Sequence, residues 1–136
     1  NRGEVYKPIK KIASGGEISR IMLAINLVVQ KIYFANTLIF DEVDSGISGS
    51  TASNIGLLLN KLSKTKQLII VTHLPQIASR SDNHISVYKR NKTSRVISLA
   101  KILNQDEHKF EIARMLSGKR ITSHSINQAN EMIADG

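Results

Sequence analysis

Three short stretches of this sequence carry side chains suited to chemistry on phosphates. Ser14-Gly15-Gly16-Glu17 stands directly before an apolar run of helical period. Ser14 with Glu17 three residues on makes a capping box, which satisfies two free backbone N–H groups. Capping does not require two glycines, though. Gly15 and Gly16 leave the positive end of the helix bare, so an anion can reach its N–H groups beside the serine hydroxyl; taken alone, these four residues favour the cap. Asp41-Glu42 follows Leu38-Ile39-Phe40 and puts two carboxylates at the carboxyl end of a strand, where open α/β sheets bind ligands. One can hold Mg²⁺ on a nucleotide while its neighbour orients and deprotonates water; the plainer alternative is a polar strand end in a solvated loop. His73 closes the next apolar strand, Leu68 to Val71, after Thr72. A lone histidine is more often structural. If the two strands are parallel neighbours, however, His73 emerges on the same sheet edge as Asp41 and Glu42, and three converging polar groups favour a site.

Between the carboxylates and the next helical pattern, Val43-Asp44-Ser45-Gly46-Ile47-Ser48-Gly49 reads as a tight loop. Ser48 or Ser50 caps the helix behind it; functionally, Asp44, Ser45, Gly46 and Ser48 would carry contacts outward from a metal-nucleotide site to a partner. His84, His108 and His124 show no ligand spacing, which speaks against zinc. No G-x-x-x-x-G-K-[ST] phosphate loop occurs, since Gly118-Lys119-Arg120 lacks the first glycine and the Ser/Thr and follows a helix. The main triphosphate cradle is not in this stretch of chain.

The elements that must position these residues follow from hydrophobic period. Ile18, Ile21, Met22, Ile25, Val28, Val29 and Ile32 recur at helical spacing and predict a long amphipathic helix with a broad buried stripe. Thr37 to Phe40 reads as a short strand buried on both faces, Ala52, Ile55, Leu59 and Leu62 as one face of a second helix, and Leu68 to Val71 as a second buried strand. Two such strands joined by a helix imply a parallel βαβ unit. Val5 to Ile12 reads as an edge strand broken by Pro8, and Pro75 opens a short helix ending near Ser81. Ile85 to Tyr88 and Val96 to Leu99 flank Arg90-Asn91-Lys92-Thr93 as a hairpin. Two helices close the chain, from about Asp106 to Ser117 with Gly118 as its stop, and from about Ser123 to Ala134.

Composition bounds the rest. With 136 residues, 41% hydrophobic and 22% charged, residues 1–136 read as one packed α/β domain, neither disordered nor membrane-embedded. The absence of Cys removes disulfides and thiolate chemistry and agrees with a cytoplasmic protein. The chain opens on Asn1 instead of Met, which leads us to expect a piece of a longer protein. Nineteen basic against eleven acidic residues give +8, with clusters at Lys7, Lys10 and Lys11 and at Lys89, Arg90, Lys92 and Arg95. Such charge attracts polyanions. Only Tyr6 and Tyr88 lie nearby to stack on bases, so the sequence alone favours an ordinary solvated surface.

Three of these stretches, in this order, resemble the motifs of ABC ATPases: Ala13-Ser14-Gly15-Gly16-Glu17 the signature, Thr37 to Glu42 the Walker B strand, and Thr72-His73 the switch histidine. More narrowly, Lys11 to Arg20, Phe40 to Gly49, Val71 to Gln76 and Glu111 to Gly118 resemble the RecN family, SMC-like ATPases of bacterial DNA repair. The resemblance implies the carboxy-terminal lobe of a P-loop ABC/SMC-type head, whose phosphate loop lies in an N-terminal lobe beyond a coiled coil. It implies ATP and Mg²⁺ held between two heads of a homodimer. Asp41 would help hold Mg²⁺, Glu42 would polarise water, and His73 would meet the γ-phosphate. Ser14, Gly15, Gly16 and Glu17 would close on the nucleotide of the opposing head, and Asp44, Ser45, Gly46 and Ser48 would form the dimer-contact loop. Ser48 stands where ABC loops usually carry Asp, a departure that leaves the cross-dimer contact open. The implied role is recombinational repair of DNA double-strand breaks in the DNA-damage (SOS) response, on DNA at the nucleoid, with no membrane partner. Two other readings stay open. The chain could be a non-catalytic dimerisation module, given the missing phosphate loop, or a Mg²⁺-dependent nuclease using Asp41, Glu42 and Asp44.

Overall fold

The computed structural model describes residues 13–29, 35–92 and 95–136. At its centre β1 (Thr37–Phe40) pairs in parallel with β2 (Gln67–Ile70), in the register Thr37↔Gln67 to Phe40↔Ile70. The crossover is α2 (Gly49–Ser63), so the expected βαβ unit is present. The preceding helix, α1 (Gly15–Val28), and α3 (Pro75–Ala78) contribute Leu23 and Ile77 to a core with Phe40, Val43, Leu59 and Leu62. Pro75 at the first turn starts α3 without losing a bond, because that N–H has no partner in a helix.

A second, smaller cluster joins Ala78 of α3 to Ile112 and Ala113 of α4 (Gln105–Ser117) and Ala129 of α5 (Ser123–Ala134). Between α3 and α4 in the chain comes the antiparallel hairpin β3 (Ile85–Lys92) and β4 (Arg95–Ile102), longer on both strands than the apolar alternation alone indicates. Asn104 and Glu107 form a reciprocal capping box at the start of α4, as Thr122 and Ser125 do at α5, and Gly118 stops α4 with φ 72°.

Two expectations fail in an informative way. The stripe Ile18, Ile21, Met22, Ile25 and Val28 faces outward, with Val28 85% exposed, and α1 instead buries Gly16, Leu23 and Asn26. The helix is apolar around most of its circumference, so period alone does not say which face meets the core. Nor is β1 buried on both faces: Phe40 is 4% exposed, whereas Ile39 is 70% exposed. Among the described residues the helices cover only the side of the sheet that carries Leu38, Phe40, Leu68 and Ile70. The edge strand expected at Val5 to Ile12, and Ile32 at the expected helix end, lie outside the described residues.

Candidate functional site

Parallel pairing carries the ends of β1 and β2 to one edge of the sheet, and the ladder continues through the Val71 N–H, which donates to Phe40 O at 2.9 Å. Asp41-Glu42 and Thr72-His73 therefore emerge side by side, as the spacing predicts. They are tied together by Asp44. Its carboxylate is buried, 3% exposed, and Oδ2 accepts from the Thr72 hydroxyl at 2.5 Å and the His73 N–H at 2.9 Å. The same oxygen lies 3.0 Å from His73 Nδ1. Burial pushes the Asp44 carboxyl up, but the Thr72 hydroxyl, the His73 N–H and the His73 ring together outweigh it and hold the group below its ordinary value. A carboxylate against Nδ1 favours the tautomer protonated there, which leaves Nε2 of the 74%-exposed His73 side chain free toward solvent. Sequence reasoning assigned Asp44 to an outward contact loop; the structure turns its carboxylate inward.

Glu42 adopts φ 58°, a left-handed conformation that costs a residue with a Cβ about 1–2 kcal/mol. The strain reverses the chain, closing a turn in which the Ser45 N–H donates to Glu42 O at 2.9 Å. The start of α1 sits directly on this turn. A Cβ at Gly16 would lie 2.7 Å from Ser45 Cβ and 2.8 Å from Glu42 O, so only glycine permits the approach. Gly15 has a different role. It is exposed, and a Cβ there would lie 2.5 Å from Glu42 Oε2, so the missing side chain leaves room for the glutamate carboxylate beside the start of the helix. Two residues that the chemical reading passed over fix the arrangement. The Ser19 hydroxyl donates to Asp41 O at 2.6 Å, and Arg20 Nη1 donates to Ser45 O at 2.7 Å and Val43 O at 3.3 Å. Their signal was present in the sequence as polar residues one turn into an otherwise apolar helix.

Ser14 and Glu17 form the full capping box: the Ser14 N–H and hydroxyl donate to Glu17 Oε2 at 2.8 and 3.2 Å, and the Glu17 N–H to Ser14 Oγ at 3.3 Å. The Ser14 backbone N–H and hydroxyl, in that order, hold the Glu17 carboxyl below its ordinary value. Ser48 occupies the N-cap position of α2 but makes no side-chain capping bond, unlike the expectation. Ser45, Gly46 and Ser48 are exposed, and Gly46 (φ 71°) and Gly49 (φ 54°) bend the loop in conformations that favour glycine.

The assembled edge thus presents the exposed carboxylates of Asp41 and Glu42, a free imidazole nitrogen and a helix N-terminus with an exposed glycine. These residues suit a magnesium nucleotide: a hard oxygen ligand, a base, an imidazole that donates from Nε2 once both ring nitrogens are protonated, and a helix N-terminus. They suit a three-carboxylate nuclease poorly. Asp44 faces inward, and among the described residues no group of three or more His, Cys, Asp or Glu could hold a metal.

No family profile matches the chain. The chain is 43% identical to DNA repair protein RecN of Rickettsia conorii over 133 residues, covering 98% of this chain and 24% of that protein. It is a homologue of part of RecN. The same protein of Vibrio cholerae is 41% identical over 133 residues, and that of Bacillus subtilis 39%. The chain spans about a quarter of the length of these RecN relatives. A solved SMC ATPase superposes with a TM-score of 0.58 at 24% identity, covering 87% of this chain and 70% of that one. That likeness fixes the fold as that of an SMC ATPase head, with a short parallel sheet, a hairpin and terminal helices. Among the described residues no helix is long and apolar enough to cross a membrane.

Proposed function

We propose that the complete protein is an SMC-like DNA repair ATPase and that this chain supplies the half of its head carrying the signature, the metal-binding carboxylate, the base and the switch histidine. The observation that supports this most is the single sheet edge shared by Asp41, Glu42 and His73, locked by Asp44. ATP with Mg²⁺ supplies the electrophilic phosphate when bound. Asp41 offers a hard oxygen to the metal, directly or through water. Glu42 orients and deprotonates the attacking water, and His73, its Nδ1 held by Asp44, turns Nε2 toward the γ-phosphate, to which it donates when the ring carries a proton on both nitrogens. Ser14, Gly15, Gly16 and Glu17 form the helix N-terminus offered to the nucleotide of a second head, with Ser45, Gly46 and Ser48 lining the contact between heads. The solved SMC ATPase, a protein of ATP-driven dimerization and DNA-stimulated activation, supports this two-headed arrangement. A phosphate loop would come from a separate lobe of the same protein, and the complete protein would act on DNA.

In the complete protein, Glu42→Gln is expected to lower steady-state ATP hydrolysis by roughly 10²–10⁴-fold and to accumulate an ATP-bound dimer on size-exclusion chromatography. Unchanged turnover removes Glu42 from this role. A second reading, that this chain alone is a non-catalytic contact module, is favoured by the missing phosphate loop. Mixing the chain with a separately made phosphate-loop lobe separates the two readings: recovered hydrolysis marks a split enzyme, and none marks a contact module.

A further inference from the structure

Most of the excess positive charge of this chain sits in one element. Residues 83–105 hold Lys89, Arg90, Lys92, Arg95 and Lys101 and no acidic residue, whereas the remainder of the chain sets fourteen basic against eleven acidic residues. A surface that serves solubility alone intersperses both signs, while a single-sign run focuses a field on a polyanion.

The fold turns the run into a ribbon. Strands β3 and β4 pair over eight residues each, about 27 Å at ~3.4 Å per residue. The base of the ribbon is anchored to α4, where Lys101 pairs with Glu107 and His84 Nδ1 meets His108 Nδ1 at 2.9 Å. The other four cations lie toward the far end, with Arg90 opposite Ile97, Lys89 opposite Ser98 and Lys92 opposite Arg95. Lys89, Arg90 and Arg95 are exposed, and among the described residues no carboxylate pairs with any of them.

We infer that the far end of this hairpin is a contact for the phosphate backbone of a DNA duplex, made by Lys89, Arg90 and Arg95. The choice of DNA as the polyanion rests on the repair function proposed above. A two-stranded β-ribbon has the width that the major groove of duplex DNA admits, and contacts of this kind position a protein without reading sequence.

The test uses the complete protein and a fluorescein-labelled DNA duplex, followed by anisotropy between about 50 and 200 mM salt. Lys89→Ala/Arg90→Ala/Arg95→Ala is expected to flatten the slope of log K against log salt by about 2–3 and to weaken binding at least tenfold at the low-salt end. Lys89→Arg/Arg90→Lys/Arg95→Lys, which keeps every charge, retains the slope. ATP hydrolysis without DNA is expected to be equal in all three proteins. An unchanged slope in the alanine variant overturns the inference. So does an unchanged slope together with a lowered melting temperature, which marks the ribbon as a surface buried against another part of the protein. If the alanine variant does not fold, Lys89→Gln/Arg90→Gln gives the same readout, with a slope change of about 1–2 expected and no change overturning the inference. Absence of hydrolysis in the unsubstituted protein would instead defeat the ATPase reading and leave the slope comparison intact.

Discussion

Asp44 illustrates how one buried carboxylate can set the geometry of residues that do the chemistry. It accepts from Thr72 and His73 and is shielded from water, so removing its charge leaves those donors a weaker, neutral acceptor and sets an amide NH₂ among them. Asp44→Asn is expected to lower stability by about 1.5–3 kcal/mol, the magnitude of hydrogen bonds to a charged group, in urea unfolding at neutral pH. Its folded-state carboxyl is held below the ordinary value, so its contribution is fully present above the unfolded pKa and is lost as pH falls through the folded one. The unsubstituted protein should therefore lose stability below about pH 4 more steeply than Asp44→Asn, since Asp titrates near ~3.9 when unfolded; parallel acid limbs would show that Asp44 is not the anchor. The glycines separate in the same way. Gly16→Ala forces Cβ against Glu42 O and Ser45 Cβ and is expected to cost about 1–3 kcal/mol by overpacking, against a helix-propensity gain of ~1. Gly15→Ala meets only the movable tip of Glu42, so its thermal midpoint should stay the same or rise. Asp41, Glu42 and His73 were legible because strand ends are visible in hydrophobic period. The inward turn of Asp44 and the grips of Ser19 and Arg20 were not, because they exist only once the left-handed Glu42 folds the loop back onto α1.

At the scale of elements, helix ends were read well where local chemistry decides them. Gly118 stops α4 at φ 72°, and α5 spans Ser123–Ala134 as its period indicates. What the period did not reveal is the contact that anchors the hairpin to α4. His84 and His108 lack ligand spacing in the sequence, yet their Nδ1 atoms meet at 2.9 Å across a gap of 24 residues. Two ring nitrogens at that distance share one proton, so the pair cannot hold a proton on both without breaking. Burial lowers the pKa of His84, with His108 adding to it and Glu111 opposing; burial also lowers that of His108 against the Ser79 backbone. Folded-state values below the unfolded value mean that the unfolded chain takes up more protons below about pH 6.5. Stability contributed by this pair is therefore full above that pH and declines as pH falls toward the folded values. Urea midpoints measured from about pH 7.5 to 5.5 should fall, and His84→Gln/His108→Gln should flatten the trend. A variant that keeps the full decline would place the titration elsewhere.

For the whole molecule, the decisive feature is a parallel sheet with one face bare. Ile39 and Ile69 are register partners, so they share a face, and with Val71 they stand exposed on the side that the helices leave open. Parallel strands are found covered on both faces, because their crossovers place helices there. On α1, the outward Ile18, Ile21, Met22, Ile25 and Val28 pose the same problem. Both surfaces are intelligible if the remaining three quarters of the RecN-like length covers them, as the proposed phosphate-loop lobe would. This predicts opposite outcomes for one substitution in two settings. In the complete protein, Ile39→Thr/Ile69→Thr removes buried apolar surface and should lower the unfolding free energy by about 2–5 kcal/mol. In the present chain alone, the same pair lies in water, so the change should stay within about 0.5 kcal/mol per site and should reduce self-association on sedimentation by breaking an apolar patch. Equal and small effects in both settings would show that the sheet face is a finished surface, and the two-lobed head would then need a different docking side.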